Sequence, residues 1–243
     1  MINIAILLIV AVLATALAGV YLSYQEGNLS EDMFNESDSG VQSNKKSTVV
    51  LRDNETVGRT LSGKRIGFLL LMAIMLCVVA VFLVEVYQNN TLVDNLKLIV
   101  LLVILFIAAN TDARQRIIPN TIVIAGLVLR IVFWCVELIT VSTEFWYILK
   151  NDLMACLMLI AFFVVGVLMV KGGIGMGDIK LMLVMCLFQG FYGVVSSLFC
   201  SLFVAFLYAI VVLVLRKKTR KDSVAFAPAI LVGTILSVFL TGM

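Results

Sequence analysis

The chain is divided into apolar stretches, most of them as long as a bilayer is thick. They run over residues 2–24, 66–87, 95–111, 118–140, 148–170, 177–190, 193–215 and 223–242. A helix rises 1.5 Å per residue, so about 20 apolar residues cross the ~30 Å hydrocarbon core. Backbone N–H and C=O groups find no water there, which restricts how such segments can fold. With 62% hydrophobic and 14% charged residues, a soluble domain is excluded. The expected fold is all-α: a polytopic transmembrane helical bundle of about eight spans. The sixth run is short for a span. Either it begins earlier, within the glycines before it, or it is buried among its neighbours; the count could be seven.

Basic residues set the orientation, because lysine and arginine collect on the cytoplasmic side. With the N-terminus outside, 15 of the 18 basic residues fall in four cytoplasmic segments. Lys97 and Lys150 lie near the outer face, and Arg130 lies within a span. The expectation is therefore an N-terminus outside. Ala16-Leu17-Ala18 resembles a signal-peptidase site, but no basic residue precedes the apolar run. Residues 2–24 read as a retained first span.

The 25–65 segment is the only sizeable polar part. Glu26, Glu31, Asp32, Glu36 and Asp38 make its first half acidic, and its second half is mainly basic. It is poor in aromatics and too short to bury a core of its own, so a solvated, largely disordered loop is expected. Its basic half suits anionic lipid at the membrane surface.

The chain has no histidine. That removes a Ser-His-Asp triad, a Cys-His pair and any zinc site with imidazole ligands. The five cysteines all lie in apolar runs with no C-x-x-C spacing, and read as small core hydrophobes. No cofactor, metal or nucleic-acid partner is expected.

Two aspartates stand out. Asp178 opens an apolar run, behind Gly172, Gly173, Gly175 and Gly177. Glycines weaken a helix and let another backbone come close. An acid near membrane depth is costly and usually functional. The plainer reading makes Asp178 a cap on the next helix. Asp112 closes the third run and precedes Arg114, Arg116 and Ile118-Pro119-Asn120. Pro119 suits the first turn of the fourth span, and Asn120 is placed to bond a backbone group or to orient Asp112. The short connection makes spans three and four antiparallel neighbours.

Charge counting sets Asp112 and Asp178 on one membrane face. Two carboxylates sharing a site cannot both ionise comfortably, so one keeps a proton. One then activates water as base while the other donates to a scissile carbonyl. Lys180, two residues past Asp178, does not share its helix face. It is placed for a lipid phosphate or a substrate chain. Arg130 is expected to snorkel or to pair with Glu137, two turns away. Pro228, several residues into the last run, is expected to kink that helix near the site.

Asp112 with Ile118-Pro119-Asn120, Gly175-Met176-Gly177-Asp178-Ile179-Lys180-Leu181, and Phe226-Ala227-Pro228 together resemble the type IV prepilin peptidases, which are membrane aspartic proteases. The resemblance runs from about Leu96 to the C-terminus. It implies a peptidase domain over 66–243 with Asp112 and Asp178 as catalytic dyad. Gly175, Gly177, Lys180, Pro119, Asn120 and Pro228 would support the substrate site. It also implies prepilin or pseudopilin substrates with a basic leader and an apolar helix, cut at the cytoplasmic face. The bifunctional members carry a zinc domain with paired C-x-x-C motifs between their first two spans. Here 25–65 has no cysteine, so the resemblance is to a stand-alone peptidase without methyltransferase activity. Presenilin-type proteases share the Gly-x-Gly-Asp turn but lack Ile-Pro-Asn. A proton- or cation-coupled transporter is the alternative from another class, although it would place its acids nearer the midplane. Oligomeric state is not readable from the sequence.

Overall fold

A computed structural model describes the backbone over residues 2–38, 47–87, 90–169, 175–214 and 226–242. Its side chains are described over 3–24, 67–87, 90–166, 175–211 and 226–242. The described residues form seven helices. These are α1 (Ile2–Asp38), α2 (Ser47–Val86), α3 (Leu92–Gln115), α4 (Asn120–Thr140), α5 (Phe145–Met169), α6 (Met176–Val214) and α7 (Ala227–Thr241). Six of them are long and apolar enough to cross a membrane. The protein is a multi-pass helical membrane protein, as the apolar runs predict.

Helix α6 covers two of the predicted runs. Gly190 interrupts it with φ 65 and ψ −170, a backbone conformation that glycine alone adopts readily. Contacts on either side show the chain reversing there. In the first arm, Gly177 packs at Ile118 and Val184 at Gly126, so this arm runs parallel to α4. In the second arm, Ser196 meets Ser237 and Ser201 meets Ile230, so it runs antiparallel to α7. The first arm rises only about 21 Å. It is tolerated because it is enclosed: Leu181, Met182, Val184, Met185, Cys186 and Phe188 are all buried. Of the two explanations for its shortness, burial is the one that holds, since the helix begins no earlier than Met176.

The segment expected as a loop over 25–65 is helical at both ends. Helix α1 continues to Asp38 and α2 resumes at Ser47. Each polar stretch extends a membrane-spanning helix, and adding residues to an existing helix avoids the costly nucleation step. Gly172 and Gly173 lie outside the described residues.

Helix α3 is the centre of the bundle, and among the described residues it is the most enclosed, buried at most positions from Asn95 to Asp112. It starts with a capping box, in which the Thr91 hydroxyl accepts the Asp94 N–H and Asp94 reaches back to the Thr91 N–H. Tyr87 and Asn90 tie that end to the last residues of α7 through the Phe239 and Gly242 carbonyls. Helix α7 packs on α6 and α3, so its start lies beside the end of α3.

A buried charge cluster fills the other half of the bundle. Arg130, 1% exposed, bonds both oxygens of Glu137 at 3.3 Å and also bonds Asp152. Lys97 reaches Glu137 at 2.6 Å, and the Trp134 indole donates to Asp152 at 3.0 Å. The expected Arg130–Glu137 pair is present, joined by Lys97 from α3 and Asp152 from α5. Opposite charges that satisfy one another are what makes such burial tolerable.

Candidate active site

Asp112 lies in the last turn of α3, 6% exposed. The carbonyl end of a helix carries partial negative charge and does not favour a carboxylate. A compensating group comes from another helix: the Ala227 N–H donates to Asp112 Oδ2 at 2.9 Å. Ala227 is the first residue of α7 and is fully buried. Just beyond Asp112, Arg116 turns the chain with φ 56 and donates its N–H to the Asp112 carbonyl at 2.9 Å, which ends α3.

Asp178 lies in the first turn of α6 and is half-buried. Its N–H donates to the Gly175 carbonyl at 3.1 Å, and its carboxylate folds back over Gly175. A methyl group at Gly175 would lie 3.0 Å from Asp178 Oδ2. Asp178 therefore sits where a helix-capping acid sits. It also interacts electrostatically with Asp112, which an isolated cap would not do. The two carboxylates, 66 positions apart in sequence, lie at the same end of the bundle, where Gly177 seats the start of α6 on the α3–α4 turn that follows Asp112.

The remaining predicted residues gather around them. A Cβ at Gly177 would lie 3.2 Å from the Ile118 Cβ, so the glycine lets the start of α6 sit directly on the α3–α4 turn. Pro119 precedes the first residue of α4 with φ −63 and ψ 135, closing that turn. Asn120 does not orient Asp112: its side-chain oxygen accepts from Lys180 Nζ at 3.0 Å. Lys180 thus turns to α4, away from Asp178, as their two-residue spacing requires. Pro228 corrects an expectation. Helix α7 begins at Ala227, so Pro228 is its second residue and kinks nothing. Its missing N–H costs little in a first turn, where no intrahelical partner exists.

The sequence reading missed Ala227. The group that matters there is a backbone amide, which no side chain advertises. The only signal was Pro228, which marks a helix start.

Two carboxylates therefore lie at one end of the bundle, one of them accepting a bond from a helix N-terminus. Such a pair is able to activate water and to protonate a carbonyl. Residues 99–211 match the type IV leader peptidase family. That match spans just under half of the chain, and the chain is similar to that family over those residues. The matched segment contains Asp112, Pro119, Asn120, Gly175, Gly177, Asp178 and Lys180, and ends before Pro228. The chain is also 29% identical over 139 residues to the prepilin leader peptidase/N-methyltransferase of Bacillus subtilis. That alignment covers 57% of this chain and 53% of the relative, so the chain matches about half of the relative's length. No solved structure matches it. The leader peptidase match and the helical membrane fold agree with what the first two motifs imply.

Proposed function

We propose that the protein is an aspartic endopeptidase that removes the basic leader from type IV prepilins or pseudopilins at the cytoplasmic face of the membrane. The observation that carries this reading is that Gly177 seats on Ile118, which brings the Asp178 motif to the same end of the bundle as Asp112. Asp112 and Asp178 form the catalytic dyad, and water is the nucleophile. Gly175 and Gly177 keep the approach to Asp178 open, since side chains there would press on the carboxylate or on Ile118. The Lys180–Asn120 bond, together with Ile118 packed on Gly177, holds the start of α6 against the α3–α4 turn. The cytoplasmic location follows from the distribution of basic residues, which puts this end of the bundle inside.

The 25–65 segment holds no cysteine, so the chemistry proposed is cleavage without N-methylation and without a metal. The test uses the purified protein in detergent and a synthetic peptide with a lysine-rich leader, a glycine and an apolar helix. Mass spectrometry of the product should find a single cut after the glycine and an unmethylated new N-terminus. Proton or solute flux in vesicles with no cleavage of the peptide would contradict the proposal and favour a transporter.

A further inference from the structure

The first turn of α7 accounts for its donors in an unusual way. The Ala229 and Ile230 N–H groups both donate to the Phe226 carbonyl, at 3.0 and 3.1 Å. Pro228 has no N–H. Phe226, at the N-cap, makes no side-chain cap bond. One donor remains, the Ala227 N–H, and it points at Asp112. Cap, proline and helix direction therefore aim a single amide, at the positive end of a helix, at one member of the pair. Asp178 has a different setting: it is less buried, and its own helix start is its nearest support.

We infer that the Ala227 amide is a positioning group that fixes the division of labour in the dyad, holding Asp112 as the ionised base and leaving the shared proton on Asp178. This rests on the peptidase reading above. An N–H bond to a carboxylate stabilises its charged form, and the α7 N-terminus offsets the carbonyl end of α3 on which Asp112 sits; Asp178, in the first turn of α6, accepts no such bond among the described residues. Among the residues whose side chains are described, the other charged groups at this end of the bundle are Arg114 and Arg116 after Asp112, and Lys180, which is turned to Asn120. At this end α4 and α7 bring Asn120 and the Ala227 amide, but no ionisable side chain.

The chemistry then has a direction. Asp112 takes a proton from water as the water oxygen bonds to the scissile carbonyl carbon. Asp178 gives its proton to the carbonyl oxygen, producing a tetrahedral gem-diol. On collapse, Asp112 returns its proton to the leaving amine nitrogen as the C–N bond breaks. Asp178 recovers a proton from one hydroxyl, and the pair is back in its starting state.

The test replaces Ala227 by its α-hydroxy acid, which turns the amide N–H into an ester oxygen and leaves the side chain unchanged. The rate of cleavage of the lysine-rich leader peptide is followed against pH. Without the donor the acid limb of kcat/KM should move to higher pH. The same ester change at Ile230, whose N–H serves only the helix, should lower thermal stability and leave the limb in place. An unmoved limb in the Ala227 ester, with Asp112→Asn inactive, overturns the inference and leaves the peptidase reading standing. Full cleavage by both Asp112→Asn and Asp178→Asn overturns that reading itself. A second measurement needs no turnover. The wild-type minus Asp178→Asn infrared difference at pH 5 should contain a protonated carboxyl band. Its absence overturns the inference.

Discussion

Asp112 and Asp178 differ in what holds them, and glycine is the residue that permits the arrangement. At Gly175 a side chain would meet the Asp178 carboxylate at 3.0 Å, and at Gly177 one would meet Ile118 at 3.2 Å. Alanine at 175 is therefore expected to push the carboxylate off its position without unfolding the helix. A misplacement of about 1 Å is worth roughly 100-fold in rate, so Gly175→Ala should lower kcat by roughly 10- to 100-fold. Its melting midpoint in detergent should stay near wild type; a large drop in midpoint with kcat retained would contradict this. Metal removal tests the chemistry of the same residues. The carboxylate pair and one water suffice for the proposed reaction, so a chelator should leave the rate unchanged, and loss of activity restored by zinc would refute that. The aspartates were legible in the sequence because an acid beside a glycine turn at membrane depth is conspicuous. The Ala227 donor was not, because a backbone amide acquires its meaning only from the helix that aims it.

At the scale of elements, two kinds of contact keep the site in register. The first is close packing of small residues. A Cβ at Gly233 would collide with the Ser201 backbone, and one at Gly126 would lie 2.7 Å from Val184. Small residues let membrane helices approach closely where apolar burial gives little drive. Gly233→Ala should force α7 away from the second arm of α6, destabilising the protein by about 1–3 kcal/mol. Because α7 carries the Ala227 amide, cleavage should fall with it; a stable variant with wild-type kcat would contradict the role given to α7. The second kind is the buried charge cluster. Arg130→Met would leave Glu137 and Asp152 buried without their main partner, at a cost of about 3–5 kcal/mol. Denaturant titration should detect that loss. The cleavage rate per folded molecule should change little, because the cluster lies away from the aspartates. The Arg130–Glu137 pair was readable from a two-turn spacing on one helix. Lys97 and Asp152 were not, because they come from α3 and α5 and only packing brings them in. The Gly190 reversal was readable as a gap between two apolar runs. The place where α7 starts was not: apolarity continues upstream of Ala227, and hydropathy cannot tell a first-turn proline from a kink.

At the scale of the whole molecule, the described helices place every predicted site residue at one end of the bundle and the buried charge cluster away from it. The similarity to the leader peptidase family covers the segment from α3 to the second arm of α6, and α7 brings the Ala227 amide to Asp112 from beyond it. The sidedness proposed from basic residues has a direct check in cysteine-free protein. A membrane-impermeant thiol reagent added to intact cells should label Ser142→Cys, in the α4–α5 connection, and should not label Ala113→Cys beside Asp112. The reverse pattern would invert the topology and move the site to the outside. The most direct measurement is the cleavage rate of the lysine-rich leader peptide by Asp112→Asn, Asp178→Asn and the double variant. Residues that act as one unit lose their effect together, so each single change should reduce kcat by about 1,000-fold or more and the double change should be no worse. Full cleavage by either single variant would contradict the shared-proton pair.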